Sequence, residues 1–193
     1  MSGEPAWTEG TLLERASAGD TAAFAALVRR HQRSVYSLSL RMLADRFQAE
    51  DLAQEVFLQL YRSIRSVESE THLAFWLRRV TVNRAIDRLR REPPLSQAAL
   101  SEADGLAAEP SEIDPILERR LRALLRELAP AARAVVLLRY QEDLDPTEIA
   151  RTLKMPLNTV KSHLKRSLAA LRERLGNEDP DGRSLASDAR TLT

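Results

Sequence analysis

Apolar residues at helical spacing dominate the N-terminal half of the chain. The first such series consists of Phe24, Leu27, Val28, His31 and Val35. Asp20 stands ahead of this series, and its carboxylate suits the N-cap position, so we predict a helix that begins just after it. Because the same spacing continues in later segments and no stretch shows the alternation of a strand, the pattern favours helices throughout.

Two further helices are expected in this half, at about residues 49–64 and 72–91. The apolar stripe of the second helix contains Leu52, Ala53, Val56, Phe57, Leu60 and Ile64. Another face of this helix is formed by Asp51, Glu55, Leu58 and Arg62, with Gln54 at its edge. The third helix carries Phe75, Trp76, Val80 and Leu89. We expect Pro93 and Pro94 to end it, and we predict a loop in the polar segment 66–71.

The composition changes after Arg91, where four prolines and several Ala, Ser and Glu residues show no sustained periodicity up to residue 115. Helical spacing then returns in Leu117, Leu121, Leu124, Leu125 and Leu128, and again in Val135, Val136, Leu137 and Leu138. We therefore predict an all-α protein with two helical domains. The predicted organisation is an N-terminal extension (1–18), a first helical domain (19–92), a flexible acidic linker (93–115), a second helical domain (116–175) and a disordered tail (176–193).

The segment from Asp145 to Leu168 has the pattern of a helix-turn-helix. Pro146 is accepted in the first turn of a short helix, and Pro156 interrupts the pattern before a second helix begins. The outward face of this second helix is formed by Thr159, Lys161, Ser162, Lys165 and Arg166. Such side chains can reach phosphates or base edges in a major groove, which favours DNA binding over an ordinary basic helix packed on its neighbour.

The formal net charge is only +1, but the charges are segregated along the chain. Residues 92–118 contain seven acids and no Lys or Arg, whereas residues 76–91 contain six Arg and one Asp. Residues 146–175 contain seven Lys or Arg and two Glu. A polyanion that contacts both basic segments is the partner that this distribution predicts, with solvated helix faces as the alternative.

The residue types also exclude several kinds of site. Cysteine is absent, which excludes disulfides and thiolate metal ligands. The three histidines, His31, His72 and His163, lack metal-binding spacing, so we expect no metal, no cofactor and no catalytic residue, and not an enzyme. The chain shows neither a signal-peptide pattern nor an apolar run of membrane length, which predicts a cytoplasmic protein without direct membrane insertion.

Three motifs in order give a more specific indication. Residues 51–61 (DLAQEVFLQLY) and 75–91 (FWLRRVTVNRAIDRLRR) resemble parts of region 2 of the RNA polymerase sigma factors of the sigma-70 family. The helix-turn-helix is similar to region 4 of that family. The short linker, in place of a large region 3, resembles that of group 4, the extracytoplasmic-function sigma factors. The resemblance extends from about Gly19 to Leu175.

The resemblance implies a role for each motif in promoter-specific transcription initiation. It implies contact with core RNA polymerase, through its β and β′ subunits, at Asp51, Gln54, Glu55 and Leu58. It implies binding of the −10 promoter element by Trp76, Arg79, Asn83, Arg84, Asp87, Arg88 and Arg91. It implies binding of the −35 promoter DNA by Thr159, Lys161, Ser162, Lys165 and Arg166. The loop 66–74, which contains no aromatic residue, would capture a flipped base, and an anti-sigma factor would be a further partner.

Some features depart from this pattern or fit other proteins. The family usually has Gly where Lys154 and Asn158 stand in the turn, and Lys is the costlier of the two there. The run from Thr159 to His163 suits LuxR-type regulators equally, but these would require an α/β sensing domain, whose parallel strands are not evident. A helical metal-dependent hydrolase would need paired histidines, and a protein that binds only other proteins would not need two basic segments.

Overall fold

The computed structural model describes residues 9–91 and 115–177, and within these ranges it contains α-helices, one short 3₁₀ helix and no β-strand. The first range forms α1 (Glu9–Ser17), α2 (Thr21–Leu43), α3 (Arg46–Ser63), the 3₁₀ helix (Ile64–Ser66) and α4 (Glu70–Arg91). The second range forms α5 (Pro115–Glu127), α6 (Pro130–Tyr140), α7 (Pro146–Leu153) and α8 (Leu157–Asn177). The all-α prediction is confirmed. In these ranges no helix combines the length and the apolar character that a membrane crossing requires.

The ends of the predicted linker and tail are helical. Pro115, expected to be the last linker residue, begins α5, and α8 continues to Asn177. The remainder of the predicted linker, 93–114, and of the predicted tail, 178–193, lies outside the described residues.

The N-cap of α2 is Asp20, as predicted from the sequence. Its carboxylate accepts hydrogen bonds from the N–H groups of Ala22 and Ala23 at 2.9 and 3.0 Å. Arg15, near the end of α1, donates to the same carboxylate from Nε at 2.8 Å. The bond from Ala23, and next to it the bond from Arg15, lower the pKa of Asp20 because both favour the ionised form. This carboxylate therefore joins the end of α1 to the start of α2.

Helix α3 begins at Arg46, earlier than the predicted start near residue 49. Ala44 ends α2 in the left-handed conformation with φ 58°, and Asp45 then caps α3 by accepting from the N–H of Gln48 at 2.9 Å. Because Asp45 is a favourable N-cap, it fixes the start of α3 independently of the apolar stripe. The turn between the two helices is consequently very short, which holds α2 and α3 side by side.

The helices of residues 9–91 share one core. Helix α2 packs against α1, α3 and α4, and α3 packs against α4. The largest fully buried side chains of this core are Leu27, Met42, Leu52, Val56, Leu60, Leu73 and Val82. Helix α1 lies in the segment that was assigned to an N-terminal extension, yet Leu13 and Ala16 are buried against the same core. The first domain therefore includes α1, because its apolar side packs on α2.

Helices α5 to α8 form the second domain, and the predicted helix-turn-helix is confirmed in α7 and α8. Asp145 and Glu148 form a capping box: the Asp145 carboxylate accepts from the N–H of Glu148, and the Glu148 carboxylate accepts from the N–H of Asp145. Ile149 of α7 and Val160 of α8 are fully buried in the core of the domain. The cap and this core fix the two helices relative to each other.

Lys154 ends α7 in the left-handed backbone conformation, with φ 52° and ψ 44°. A β-carbon is strained in this conformation, whereas glycine adopts it freely. We expect Lys154→Gly to raise the free energy of unfolding by about 0.5–1 kcal/mol, since the relief of strain exceeds the extra entropy of the unfolded glycine. Urea unfolding followed by circular dichroism measures this change. Lys154→Ala removes the same charge but keeps the β-carbon, so equal stabilities of the two variants would contradict the strain argument.

The two domains are in contact with each other. Helix α6 packs against α2 and α4, and α7 packs against α4. Arg78 of α4 donates to the Glu142 carboxylate at 2.8 Å, and Arg133 of α6 donates to the carbonyl of Met42 at 2.5 Å. The sequence did not indicate this contact, because nothing in the predicted linker fixes where the second domain lies.

Candidate functional site

The side chains that were expected to bind −10 DNA line one groove between α3 and α4. The groove encloses about 660 Å³. Its lining consists of Trp76, Arg79, Val80, Asn83, Arg84, Asp87, Arg88 and Arg91 from α4, with Glu55 and Gln59 from α3. The α4 residues recur at short helical steps, so they share one face of that helix. We call this feature the basic groove; its role in DNA binding is still a prediction.

Two arginines of the basic groove are held by carboxylates of α3. Arg84 donates to Glu55 at 2.6 Å and to the side-chain oxygen of Gln59 at 2.9 Å. Arg88 donates to Asp51 at 2.6 Å and to Glu55 at 2.7 Å. Burial alone would lower the pKa of Arg88, but the bond to Asp51 and the charge of Glu55 outweigh it and raise the pKa. Both guanidinium groups are therefore fixed in position and partly neutralised.

The other polar residues of the basic groove are more available to a ligand. Arg79 and Arg91 have no carboxylate partner within residues 9–91 and 115–177. Asn83 is half-buried between them along α4, and its amide can both donate to and accept from a base edge. Trp76 is half-buried: it packs on the core and also lines the groove, so part of its ring is available to stack on a base. Asp87 is exposed at the groove edge.

The segment proposed for base capture is shorter than predicted. The 3₁₀ helix ends at Ser66 and α4 begins at Glu70, so only residues 67–69 are not helical. The reason is local hydrogen bonding: the Ser69 hydroxyl accepts from the N–H of His72 at 3.1 Å, and the His72 Nδ1 accepts from the N–H of Glu68 at 3.3 Å. Glu68 and Ser69 of this segment are exposed and available to a ligand, while the two local hydrogen bonds hold the backbone in place.

A second groove, between α2 and α3, is mainly apolar, and we call it the apolar groove. It encloses about 870 Å³. Its lining consists of Phe24, Val28, Tyr36, Ala53, Phe57, Leu58 and Tyr61, with Gln32, Arg33, Arg46, Glu50 and Gln54 as polar members. Leu58 and Tyr61 are 59% and 57% exposed, and Phe47, also on α3, is 76% exposed. Large apolar side chains exposed on one surface are typical of a site that a partner covers.

The residues that were expected to contact core polymerase divide between the two grooves. Gln54 and Leu58 line the apolar groove. Glu55 lines the basic groove, and Asp51 pairs with Arg88 while 63% of its own side chain stays exposed. The placement of all four is compatible with the predicted role, which the geometry alone does not test.

Two exposed aromatic residues of α3 were missed by the sequence analysis. Phe47 and Tyr61 each stand seven residues from Gln54, a spacing that places all three on one side of a helix. That spacing was available as a signal. It was overlooked because apolar residues at helical spacing usually belong to the core, and only the structure separates the buried stripe from the exposed one.

The residues that were expected to bind −35 DNA lie on the outer side of α8. Lys161, Ser162, Lys165 and Arg166 are exposed, and Thr159 is half-buried. Val160 is fully buried on the opposite side, which fixes the rotation of α8 about its axis. The first turns of α8 therefore present cations and hydroxyl groups to solvent, as a helix that enters a major groove requires.

Comparisons with known sequences agree with this division into two domains. The family model described as Sigma-70 region 2 matches residues 27–93, and the one described as Sigma-70, region 4 matches residues 118–171. The ECF RNA polymerase sigma factor SigW of Bacillus subtilis is 31% identical over 176 residues, which cover 84% of this chain and 94% of SigW. The RNA polymerase sigma-E factor of Streptomyces coelicolor is also 31% identical over 176 residues, which cover 89% of this chain and 97% of that protein.

Solved structures show the same fold. CnrH, solved in complex with the cytosolic domain of CnrY, matches with a TM-score of 0.64 and 22% identity, over 88% of this chain and 98% of CnrH. RpoE from Bartonella quintana, solved with the anti-sigma factor NepR, matches with a TM-score of 0.62 and 18% identity, over 80% of this chain and 98% of RpoE. The match to Sigma-70 region 2 falls in the domain that contains both grooves, and the match to Sigma-70, region 4 falls in the domain that contains α8. The chain belongs to the sigma-70 family of RNA polymerase sigma factors, in its extracytoplasmic-function (ECF) group.

Proposed function

We propose that this sigma factor binds core RNA polymerase through the apolar groove and directs it to promoters, with α8 on the −35 DNA and the basic groove on the −10 element. The observation that carries the proposal is the presence of one basic surface in each described domain, with the apolar groove beside the basic groove in the first domain. Two basic surfaces suit a long polyanion, and the apolar surface suits a protein partner.

Binding of the −35 DNA would use the first turns of α8. Lys161, Lys165 and Arg166 would contact phosphates or guanine edges, and Ser162 and Thr159 would donate to either. The capping box of α7 supports this arrangement, because a short, well-capped first helix fixes the angle at which α8 enters the groove.

Opening of the −10 element would use the basic groove. Unstacking a base costs a few kcal/mol, so the open state needs contacts that the duplex cannot make. Arg79 and Arg91 would hold the backbone phosphates, and the Asn83 amide would bind an exposed base edge beside the Trp76 ring. Arg84 and Arg88, already oriented by α3, would stiffen the groove and reach phosphate only by exchanging their carboxylate partners.

Attachment to core polymerase would use α3. Leu58 and Gln54, with Phe47 and Tyr61 beside them, form an exposed apolar surface rimmed by polar groups. Interfaces of this kind bury a small apolar centre inside a polar rim. Asp51 at the neighbouring edge would add a charge for a basic group on the β or β′ subunit.

The proposed partners also include an anti-sigma factor, because RpoE of Bartonella quintana was solved with one. We place the action of the protein in the cytoplasm, where polymerase and promoter DNA are found. A LuxR-type regulator is not favoured: residues 9–91 form a helical domain that matches Sigma-70 region 2, where such a regulator would need an α/β sensing domain.

Transcription from fragmented genomic DNA tests the proposal directly. Purified core polymerase is incubated with and without the protein, and the 5′ ends of the products are sequenced. We expect start sites that depend on the protein and share −35 and −10 motifs at a fixed spacing. If no start site depends on the protein, and the protein also fails to co-elute with core polymerase, the proposed function is wrong.

A further inference from the structure

The carboxylate of Glu55 bonds to two arginines of the basic groove at once. One of its oxygens, Oε2, accepts from Arg84 Nη1 at 2.6 Å, and the other, Oε1, accepts from Arg88 Nη2 at 2.7 Å. Both distances are short, as is usual for hydrogen bonds between charged groups. Because each oxygen serves a different arginine, the loss of this one carboxylate would release both guanidinium groups from it.

The pairing follows from the spacing of charged residues on the two helices. Asp51, Glu55 and Gln59 recur every four residues on α3, so they lie on one side of that helix. Arg84 and Arg88 have the same spacing on α4, where two like charges repel each other. Since α3 packs against α4, Glu55 is placed between the two arginines, and its negative charge offsets their repulsion.

The neighbours of Glu55 on α3 do not duplicate its role. Asp51 bonds to Arg88 at 2.6 Å, but 63% of its side chain is exposed. Gln59 accepts from Arg84 Nε at 2.9 Å but carries no charge. Within residues 9–91 and 115–177, no second carboxylate pairs with Arg84. Arg84 therefore depends on Glu55 for its charged partner, and Arg88 depends on it in part.

This arrangement determines what the basic groove would offer to DNA. A paired arginine reaches phosphate only by giving up its partner, whereas Arg79 and Arg91 have no carboxylate partner in the part of the chain that the structure describes. Phosphates are the same in every sequence, so contacts to them add affinity without distinguishing one strand from another. With fewer such contacts, the groove would depend more on the Asn83 amide and the Trp76 ring, which can meet the bases.

We propose that Glu55 is a specificity-determining residue of the basic groove, because it withholds Arg84 and Arg88 from phosphate and leaves the bases of the −10 element to decide which DNA is retained. This inference rests on the proposed function. It assigns Glu55 to the selection of −10 sequences instead of to contact with core polymerase. Glu55 acts through the two arginines, so it is a positioning residue and needs no contact with DNA of its own.

The substitution Glu55→Gln tests this role, since it removes the charge and keeps the shape of the side chain. The holoenzyme is titrated with promoter fragments that share the −35 motif and carry either the selected −10 motif or a scrambled one. On the scrambled fragment the released arginines can meet phosphates in many positions, whereas base contacts fix the path of the selected strand. We expect affinity for the scrambled fragment to rise about fivefold, the effect of one exposed charge pair, and affinity for the selected fragment to change by less than about twofold.

Two further variants separate pairing from overall charge and from loss of packing. Glu173→Gln, at an exposed position near the end of α8, changes the net charge equally and should leave the ratio of the two affinities unchanged. Glu55→Gln combined with Gln59→Glu moves the carboxylate one helical turn along α3, where residue 59 already bonds to Arg84. This double variant should restore the wild-type ratio, which a packing defect at position 55 would not allow. All variants should bind core polymerase within about threefold of the wild type.

The outcomes separate this inference from the proposed function. A wild-type holoenzyme that binds both fragments equally would overturn the proposed function. If the wild type discriminates and Glu55→Gln keeps the wild-type ratio, Glu55 does not determine specificity. The inference is also wrong if Glu173→Gln lowers the ratio as much, or if the double variant fails to restore it. A loss of affinity for core polymerase of tenfold or more in Glu55→Gln would instead assign Glu55 to the polymerase interface.

Discussion

Replacing Leu58 with glutamate is expected to weaken binding to core RNA polymerase by at least about 30-fold, equivalent to about 2 kcal/mol. Leu58 is 59% exposed in the apolar groove, where a partner would desolvate it. A carboxylate at the same position would lose its hydration without gaining a partner, which opposes binding. The domain itself should stay folded, because Leu58 is not part of the buried core. Titration of labelled protein with core polymerase, followed by fluorescence anisotropy, measures the effect.

Two variants serve as controls for this substitution. Leu58→Met keeps an apolar side chain of similar volume and should bind within a few-fold of the wild type. Ala22→Glu adds the same charge to an exposed position of α2 outside the groove and should also bind normally. If Leu58→Glu is folded by circular dichroism and binds core polymerase as well as Ala22→Glu does, the apolar groove is not the polymerase site.

Replacing both Lys161 and Lys165 with alanine is expected to weaken binding to −35 DNA by about 100-fold, since each of the two charged contacts contributes about 1.5 kcal/mol. Both lysines are exposed on the outer side of α8 and point away from the core that holds Val160. The loss should also reduce the slope of log affinity against log salt by about 1.8, because each lost phosphate contact removes about 0.9. Duplexes that carry the selected −35 motif, titrated at several salt concentrations, measure both quantities.

The matched control removes two charges elsewhere. Arg29 and Arg41 are exposed on α2, and replacing both with alanine changes the net charge equally. This control should leave the salt slope nearly unchanged, since neither residue lies on the proposed DNA surface. If the slope of log affinity against log salt is the same for the α8 variant and for the control, the two lysines act only through the overall charge. The assignment of α8 to DNA binding would then be wrong.

The helices could be predicted from the sequence because the patterns that specify them are local. Apolar spacing, the Asp20 cap and the proline that precedes α8 each act within a few residues, and all three are confirmed by the structure. The start of α3 was misplaced because apolar spacing was weighed above the Asp45 cap. Helix α1 was assigned to an extension because a short apolar series gives little periodicity of its own until α2 covers it.

Contacts between residues that are distant in the chain could not be predicted from the sequence. The pairs Arg84–Glu55 and Arg88–Asp51 join residues that are far apart in the chain, so their charges were interpreted separately as contacts to DNA and to polymerase. The exposed side of α3 could be separated from the buried side only when α2 and α4 were in place. The contact between the domains could not be predicted, because its polar members, Arg133 and Arg78, resemble any other basic residues in the sequence.

The carboxylates of α3 supply the basic groove with counterions of its own. In the proposed complex, transfer of Arg84 or Arg88 to a DNA phosphate would release a condensed cation from the DNA, but it would leave Glu55 and Asp51 to bind cations from solution. The cations bound by these carboxylates would offset part of the cations released from the DNA. The entropy gain from cation release, which normally drives basic surfaces onto any duplex, would therefore be smaller. Arg79 has no carboxylate partner among the described residues, so a phosphate contact by Arg79 would keep the full entropy gain from cation release. If the basic groove binds the −10 element as proposed, it would be weakly attracted to DNA in general and would retain those strands whose exposed bases add contacts that phosphate alone cannot provide.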